Sequence, residues 1–406
     1  MTEQRETGVR QAARAGRRIG AFGLVPVLAV VTPLVVIPVI SRTAGPEGIV
    51  ATAVGQSVGA VAGIAVALGW PLLGPALVAR TREPARRAVA YADSIRGRLR
   101  VLAVLGPASF LVGYLLVGEY ALVAGLSGLA FAGYGLTAAW FYAGTGDARG
   151  IVVADTLPRV GATVVAGVAL ALGAPLGVYP LLLIAAVVLS LGLNSRRVLG
   201  TWRVPVRGPA PDLRAQLPAT GSRLLHGLYS MGSVSIVAAM APAAAFPFAA
   251  YNRIQKPALG ASAAFSQALV AWLGADPRAR LRGALAVDLA VSVLLGALVY
   301  LSLPLLLRIL FGDLLVLDPA LGLATAAGVA TGTMARCLQQ HGLLMLGDER
   351  FTTRLLAAQS AVSVAAMVAV VVPYGALGAT VVFAAGEGVF CLVAAARILL
   401  LWRRDA

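Results

Sequence analysis

Residues Ile37–Gly48 read IPVISRTAGPEG. The stretch closes a long apolar run with Arg42, turns on Gly45 and Pro46, and opens a second apolar run. Glycine followed by proline punctuates a chain, and proline suits the first position of a new helix. Two apolar helices joined by so short a turn make a hairpin. A related device returns as Asn252–Gly260, NRIQKPALG, where Arg253 stands four residues before Pro257 as Arg42 stands four before Pro46.

The rest of the chain carries the same apolar character. Its 406 residues are 59% hydrophobic and 12% charged, with a mean hydropathy of +0.87. Soluble domains carry about 25% charged residues, so this composition is that of a polytopic membrane protein. Basic residues outnumber acids 33 to 17, and Lys256 is the only lysine. The arginines sit in short clusters between apolar runs, a pattern of membrane orientation and of contact with anionic lipid headgroups rather than of nucleic-acid binding. Cys337 and Cys391 both fall inside apolar segments and imply no disulfide framework. The basic stretch before Ala21 precedes an apolar run too long for a signal peptide and is expected to lead into a retained span.

A span needs about 20 mostly apolar residues. Twelve segments qualify, with cores at 20–41, 49–70, 101–117, 121–143, 151–172, 178–194, 225–249, 257–274, 284–306, 316–340, 354–373 and 377–399. With twelve spans both termini share one side, and 27 of the 33 basic residues fall there. Arg42, Arg253, Lys256 and Arg308 fall on the other side, while Arg159 and Arg336 lie within spans. The positive-inside rule then puts both termini in the cytoplasm of a cell with this protein in its plasma membrane. On this side Glu83–Arg100 has an apolar stripe at helical spacing flanked by arginines and is expected to lie on the leaflet as an amphipathic helix. The proline-rich stretch 205–223 reads as a linker between an N-terminal lobe, 1–204, and a C-terminal lobe, 224–406.

The two halves echo each other. Gly146-Asp147-Ala148-Arg149 precedes the fifth span and Gly347-Asp348-Glu349-Arg350 the eleventh. With the arginine–proline device, the order of motifs repeats at similar spacing. The expected fold is all-α, about twelve transmembrane helices in two pseudo-symmetric six-helix lobes around a central cavity.

No enzyme motif is visible, and nothing in the cysteine or histidine spacing points to a metal or cofactor. His226 and His341 read as helix-end residues. The chemistry lies in charges within or beside the spans, where ionisable groups face protein or a water-filled cavity. Asp155 and Arg159 lie four apart and can pair on one helix face or line a cavity. Arg336 has no acid within its own turn. Asp288 and Glu387 lack neighbouring cations in sequence, so with Asp155 they are the carboxylates available to couple a proton or sodium ion, or to be buried in neutral form. Arg42, Arg253 and Lys256 are expected at the outer mouth. There they can snorkel to solvent or, because guanidinium groups bind phosphate bidentately, meet an anionic substrate. Gly55, Gly59 and Gly63 form two GxxxG steps for close helix contact.

These residues carry a resemblance. IPVISRTAGPEG at 37–48, GDARGIVVADTLPRV at 146–160, YNRIQKPALG at 251–260, QHGLLMLGDER at 340–350 and PYGALGA at 373–379 resemble the O-antigen-type polysaccharide flippases of the multidrug/oligosaccharidyl-lipid/polysaccharide exporter superfamily. The resemblance implies alternating-access movement of an undecaprenyl-pyrophosphate-linked oligosaccharide across the cytoplasmic membrane for cell-surface polysaccharide biosynthesis. It makes Arg42, Arg159, Arg253, Lys256 and Arg336 candidates to meet the pyrophosphate or glycan. It implies as partners the lipid-linked oligosaccharide, membrane lipids and a glycan polymerase, and no nucleic acid. A drug/cation antiporter of the same superfamily is the alternative, disfavoured by the scarcity of carboxylates in the N-terminal spans. A membrane-embedded glycan polymerase or ligase would need a long outside loop that the span count does not leave.

Overall fold

The computed structural model describes residues 2–204, 206, 217–273 and 277–404. Residues 205 and 207–216, most of the expected linker, lie outside the described residues. Fourteen helices follow in order: α1 (Thr2–Val66), α2 (Trp70–Arg80), α3 (Pro84–Leu115), α4 (Ala121–Gly133), α5 (Ala139–Thr145), α6 (Ala148–Ile151), α7 (Leu157–Ala171), α8 (Val178–Leu199), α9 (Leu217–Ser230), α10 (Ser233–Met240), α11 (Pro242–Leu273), α12 (Pro277–Phe311), α13 (Pro319–Cys337) and α14 (Glu349–Arg404). Among the described residues no strand occurs, and seven helical stretches are long and apolar enough to cross a membrane. The chain is a multi-pass membrane protein.

The opening stretch folds as its residues dictate. Gly45 adopts φ 62°, ψ −162°, a conformation that L side chains avoid. A methyl group built on Gly48 would stand 3.5 Å from Ile40 Cγ2. Eight residues along a straight helix are about 12 Å apart, so α1 doubles back at Gly45 into two antiparallel arms. α14 does the same at Gly375 (φ 55°, ψ −136°), and Gln359 on one arm reaches Glu387 on the other. With each arm counted, α2 continuing the second arm of α1, and α4–α5, α6–α7 and α9–α10 each taken as one broken segment, the described helices make twelve long segments. The turns at Gly45 and Gly375 lie at one end of the bundle, here the Gly45 end. Gly146 and Gly347 lie at the other, the Gly146 end.

The GxxxG steps act as read. A Cβ on Gly55 would stand 2.2 Å from Ala124 O and one on Gly59 2.3 Å from Gly128 O, so α1 packs backbone to backbone against α4. Gly59→Ala is expected to destabilise the N-terminal lobe by about 1–3 kcal/mol through overpacking. Gly161→Ala on α7, where nothing lies within 4 Å, should leave thermal stability in detergent unchanged or higher.

The second shared motif also holds. Gly146 (φ 71°) and Gly347 (φ 79°) end their helices in the left-handed conformation. The aspartate that follows each glycine pairs with an arginine about fifty residues on: Asp147 Oδ2 with Arg197 Nη2 at 3.1 Å, and Asp348 Oδ2 with Arg397 Nε at 2.7 Å. Two equivalent hairpins are thus tied in equivalent ways at the Gly146 end, once in each half.

Two expectations change. Glu83–Arg100 is not a separate surface helix. From Pro84 it is the first half of the continuous α3, with Tyr91, Ile95 and Arg98 buried inside the lobe. The break expected at 250–257 lies instead at Ala241, which leaves helical geometry before Pro242 opens α11. Pro247 and Pro257 are carried inside α11. Arg253 and Lys256 therefore lie on one continuous helix, 11 and 14 residues beyond Pro242, and Arg253 reaches Ile49 O and Thr52 Oγ1, four and seven residues past Gly45.

Buried apolar residues show how the halves meet. One core joins both at the Gly45 end, with Ile37, Ile49, Leu170 and Tyr179 packed in the same cluster as Val234, Tyr251, Phe311 and Val371. Toward the Gly146 end the buried residues separate into two cores. Trp70, Tyr91, Phe141 and Tyr142 belong to the N-terminal lobe, and Leu281, Leu338, Phe390 and Ile398 to the C-terminal lobe. Among the described residues, the buried apolar cores of the two lobes are joined at the Gly45 end and separate toward the other.

Candidate functional site

The seam is built by the second arm of α1 against α9–α11. Arg253 Nη2 on α11 donates to Thr52 Oγ1 at 2.7 Å and to Ile49 O at 3.4 Å on α1. Its Nε is buried without a partner. Further along, Ser57 Oγ donates to Met231 O, in the break between α9 and α10, and accepts from the Ser235 N–H. Carbonyls exposed by that break are thus met by a hydroxyl from the opposite lobe. Arg253, expected to meet substrate, is in this state a latch between lobes.

Lys256 stands one turn beyond Arg253. It is half-buried and has no hydrogen-bond or ion-pair partner among the described residues. Arg42 is exposed near the Gly45 turn and is likewise unpaired there. With Arg253 and Lys256 inside the span, Arg42 and Arg308 are the basic residues left near the Gly45 end, which strengthens the charge asymmetry between the two ends.

Inside the C-terminal lobe a cavity of about 110 Å³ is lined by His226, Ser230, Arg336, Gln339, Phe383 and Glu387, among others. α13 places Arg336 there, and its Nη1 donates to Leu259 O of α11 at 2.9 Å. The same carbonyl accepts from the Ser262 hydroxyl at 2.8 Å, so Arg336 ties α13 to α11 just beyond Pro257. Glu387 reaches the cavity from the second arm of α14, and Gln359 Nε2 donates to its Oε1 at 3.3 Å. Tyr229, whose hydroxyl donates to Phe383 O at 3.1 Å, packs its ring on Phe383 beside them. The cavity therefore presents one cation, one carboxylate and an imidazole on three different spans.

The N-terminal lobe holds a smaller cavity lined by Thr137, Asp155, Arg159, Ser190 and Asn194. Asp155 sits on a π-turn, Val152–Thr156, that opens the helix between α6 and α7. Arg159 Nη2 lies 3.9 Å from Asp155 Oδ1, an ion pair without hydrogen-bond geometry, and its guanidinium covers the Tyr134 ring at 4.2 Å. The pairing read from the four-residue spacing is present, and both residues also line a cavity.

Asp288 stands apart from both cavities. It is fully buried on α12, with its Oδ2 2.7 Å from His341 Nδ1. His341 is a helix-end residue as read, toward the end of a second π-turn, Leu338–Leu343, that continues α13. The sequence hid this partner because 53 residues separate the two. It also hid Arg98, read as one of the arginines flanking a surface amphipathic helix. Its guanidinium is fully buried and donates to the carbonyls of Gly135 and Thr137 at 3.0 and 2.8 Å.

No family model matches the chain, and no curated protein matches it. Solved structures do. An inward-facing multidrug resistance MATE family transporter of the MOP superfamily is 17% identical with a TM-score of 0.61, covering 94% of this chain and 96% of its own. The outward-facing conformation described for such a transporter gives 15% and 0.57, over 95% and 96%. A ligand complex of the MATE multidrug transporter DinF-BH gives 16% and 0.54, over 95% of both chains. At these identities the likeness is one of architecture, and it runs over nearly the full length: the chain has the two-lobe fold of the MATE transporters of the MOP superfamily.

Proposed function

We propose that the protein is an alternating-access flippase for a lipid-linked oligosaccharide, the polar end of which is a polyprenyl pyrophosphate. The observation that carries this reading is the pair of mid-span cations Lys256 and Arg336, neither held in an ion pair, one of them lining a cavity. Charges inside a membrane are retained where they meet a substrate or a counter-charge. An anion that both can reach, and that Arg336 can grip bidentately, supplies it. Arg159 adds a cation in the N-terminal cavity and Arg42 one at the Gly45 end, and Arg253 joins them when the seam opens. Charge asymmetry supports an outward Gly45 end and cytoplasmic termini in the plasma membrane. With the lobes sealed at the Gly45 end, substrate enters from the cytoplasmic leaflet and its prenyl tail stays in lipid. A glycan polymerase on the outer side is then the fitting partner. Of the three carboxylates, Glu387 is best placed to couple a proton or sodium ion, because it shares the cavity with Arg336. Asp155 is the second choice, held beside Arg159. Asp288 is engaged by His341 instead.

A multidrug antiporter is the second reading, favoured by the multidrug transport named for the similar structures. The two differ in what the cations do. Lys256→Ala with Arg336→Ala is expected to cut export of a surface glycan at least tenfold at equal membrane level. One lost charge-assisted hydrogen bond, about 1.5–3 kcal/mol, suffices for that. Polyprenyl-linked glycan should then build up on the cytoplasmic face. Unchanged glycan export, with cationic dye efflux that depends on Glu387, would select the antiporter.

A further inference from the structure

We propose that the C-terminal lobe carries a transition-metal site of the zinc class, formed by Asp288, Cys337 and His341. The three side chains are buried, and their donor atoms all lie within 4.8 Å of one another. They come from α12, from the end of α13 and from the π-turn that follows it. The site neither uses nor requires the cationic cavity, so it stands apart from the transport reading.

Hydrogen bonding around His341 fixes which nitrogen is free. Nε2 lies 2.9 Å from Ser266 O and 3.2 Å from Ser266 Oγ. The Ser266 hydroxyl donates its hydrogen to Gln340 Oε1 at 2.7 Å. Both Ser266 oxygens therefore offer lone pairs to Nε2, which must carry the hydrogen. Nδ1 is the nitrogen that faces Asp288, with a carboxylate oxygen 2.7 Å away. At that distance a hydrogen joins the two atoms, and a metal ion that replaces it takes the Nδ1 lone pair. Asp288 Oδ1, buried and without any partner, is a second vacant donor at the same place.

A proton satisfies Nδ1 and Oδ2 but leaves Oδ1 without a partner. A borderline-soft divalent ion satisfies all three residues, since thiolate, imidazole and carboxylate together form a zinc donor set. Bound Zn²⁺ with one carboxylate, one thiolate and a neutral imidazole has no net charge, which suits the interior of a membrane lobe. Binding displaces the thiol hydrogen and any proton shared by Asp288 and His341. The contact of Nε2 with Ser266 O is the outer hydrogen bond that orients a ligating histidine. The π-turn gives the backbone change that brings His341 round to Cys337 and Asp288. His341 lies 22 residues beyond the start of α13, about 33 Å from the Gly45 end, so metal reaches the site from the Gly146 side.

The test uses the full chain purified in detergent. Metal content is measured as isolated, and again after chelation and dialysis against Zn²⁺ or Co²⁺. One metal per chain is expected, with a thiolate-to-cobalt charge-transfer band. Cys337→Ser should lose the band and weaken binding at least tenfold, whereas Cys391→Ser should change neither. No metal above background in either preparation would overturn the site, as would equal binding and an unchanged cobalt spectrum in Cys337→Ser. If Cys337→Ser does not fold, the wild-type cobalt spectrum decides: a band without sulfur character rejects the site.

Discussion

Arg253→Ala is expected to open the Gly45 end and to lower transport at least tenfold while the protein still reaches the membrane. Arg253 is a charged side chain that hydrogen-bonds from one lobe to the other, through Thr52 Oγ1 and Ile49 O. Each charge-assisted hydrogen bond contributes about 1.5–3 kcal/mol. Rocking of two lobes is an equilibrium between packings a few kcal/mol apart, so loss of one such contact shifts the populations by about ten- to a hundredfold. Spin labels at Thr43 and Asp313, both exposed near the Gly45 end on opposite lobes, read the shift as a longer and broader distance. Arg253→Lys keeps the charge but not the fork, and should fall between wild type and alanine. A wild-type distance and transport rate in Arg253→Ala would mean that the latch contributes nothing to the sealed state.

A larger loss of stability is expected from Arg98→Ala, about 3–5 kcal/mol in the N-terminal lobe. The span containing α4 and α5 breaks at a 3₁₀ turn, Tyr134–Leu136, and the break frees carbonyls that the helix would have paired. Arg98 supplies the missing donors to Gly135 O and Thr137 O, and its guanidinium lies 5.9 Å from the Trp140 ring centre. Removing it leaves two acceptors unpaired where there is no water, and a void as well. For a lobe of about 200 residues such a loss corresponds to a fall in Tm of roughly 6–20 °C. Arg98→Met restores volume but not donors. If it is as unstable as alanine, the carbonyls dominate; if it matches wild type, packing alone is the role.

The hairpin at IPVISRTAGPEG was legible because a single turn residue decides it. Gly45 takes the left-handed conformation that only glycine adopts freely, and Pro46 opens the returning arm. The GDAR and GDER motifs were legible as a repeat for the same local reason. Their ionic partners, Arg197 and Arg397, were not, because those contacts exist only once the hairpins pack. Arg253 shows the opposite failure. Pro242, Pro247 and Pro257 are each acceptable helix starts by local rules, and a membrane helix tolerates interior proline when neighbours satisfy the freed carbonyl. Arg336 donates to Leu259 O just beyond Pro257, a contact that only the assembled lobe reveals. Arg98 and Asp288 share one cause of misreading. Each is a charge whose partner lies on another span, so sequence spacing held no sign of it.

Reconstitution into vesicles tests the central proposal most directly. Purified protein in liposomes carrying a fluorescent polyprenyl-pyrophosphate oligosaccharide is expected to speed its transbilayer movement at least tenfold over empty liposomes. Lys256→Ala with Arg336→Ala should return the rate to near background, and a cationic rhodamine dye should not compete. Movement of that dye under an ion gradient, with no acceleration of the glycolipid, would contradict the flippase reading.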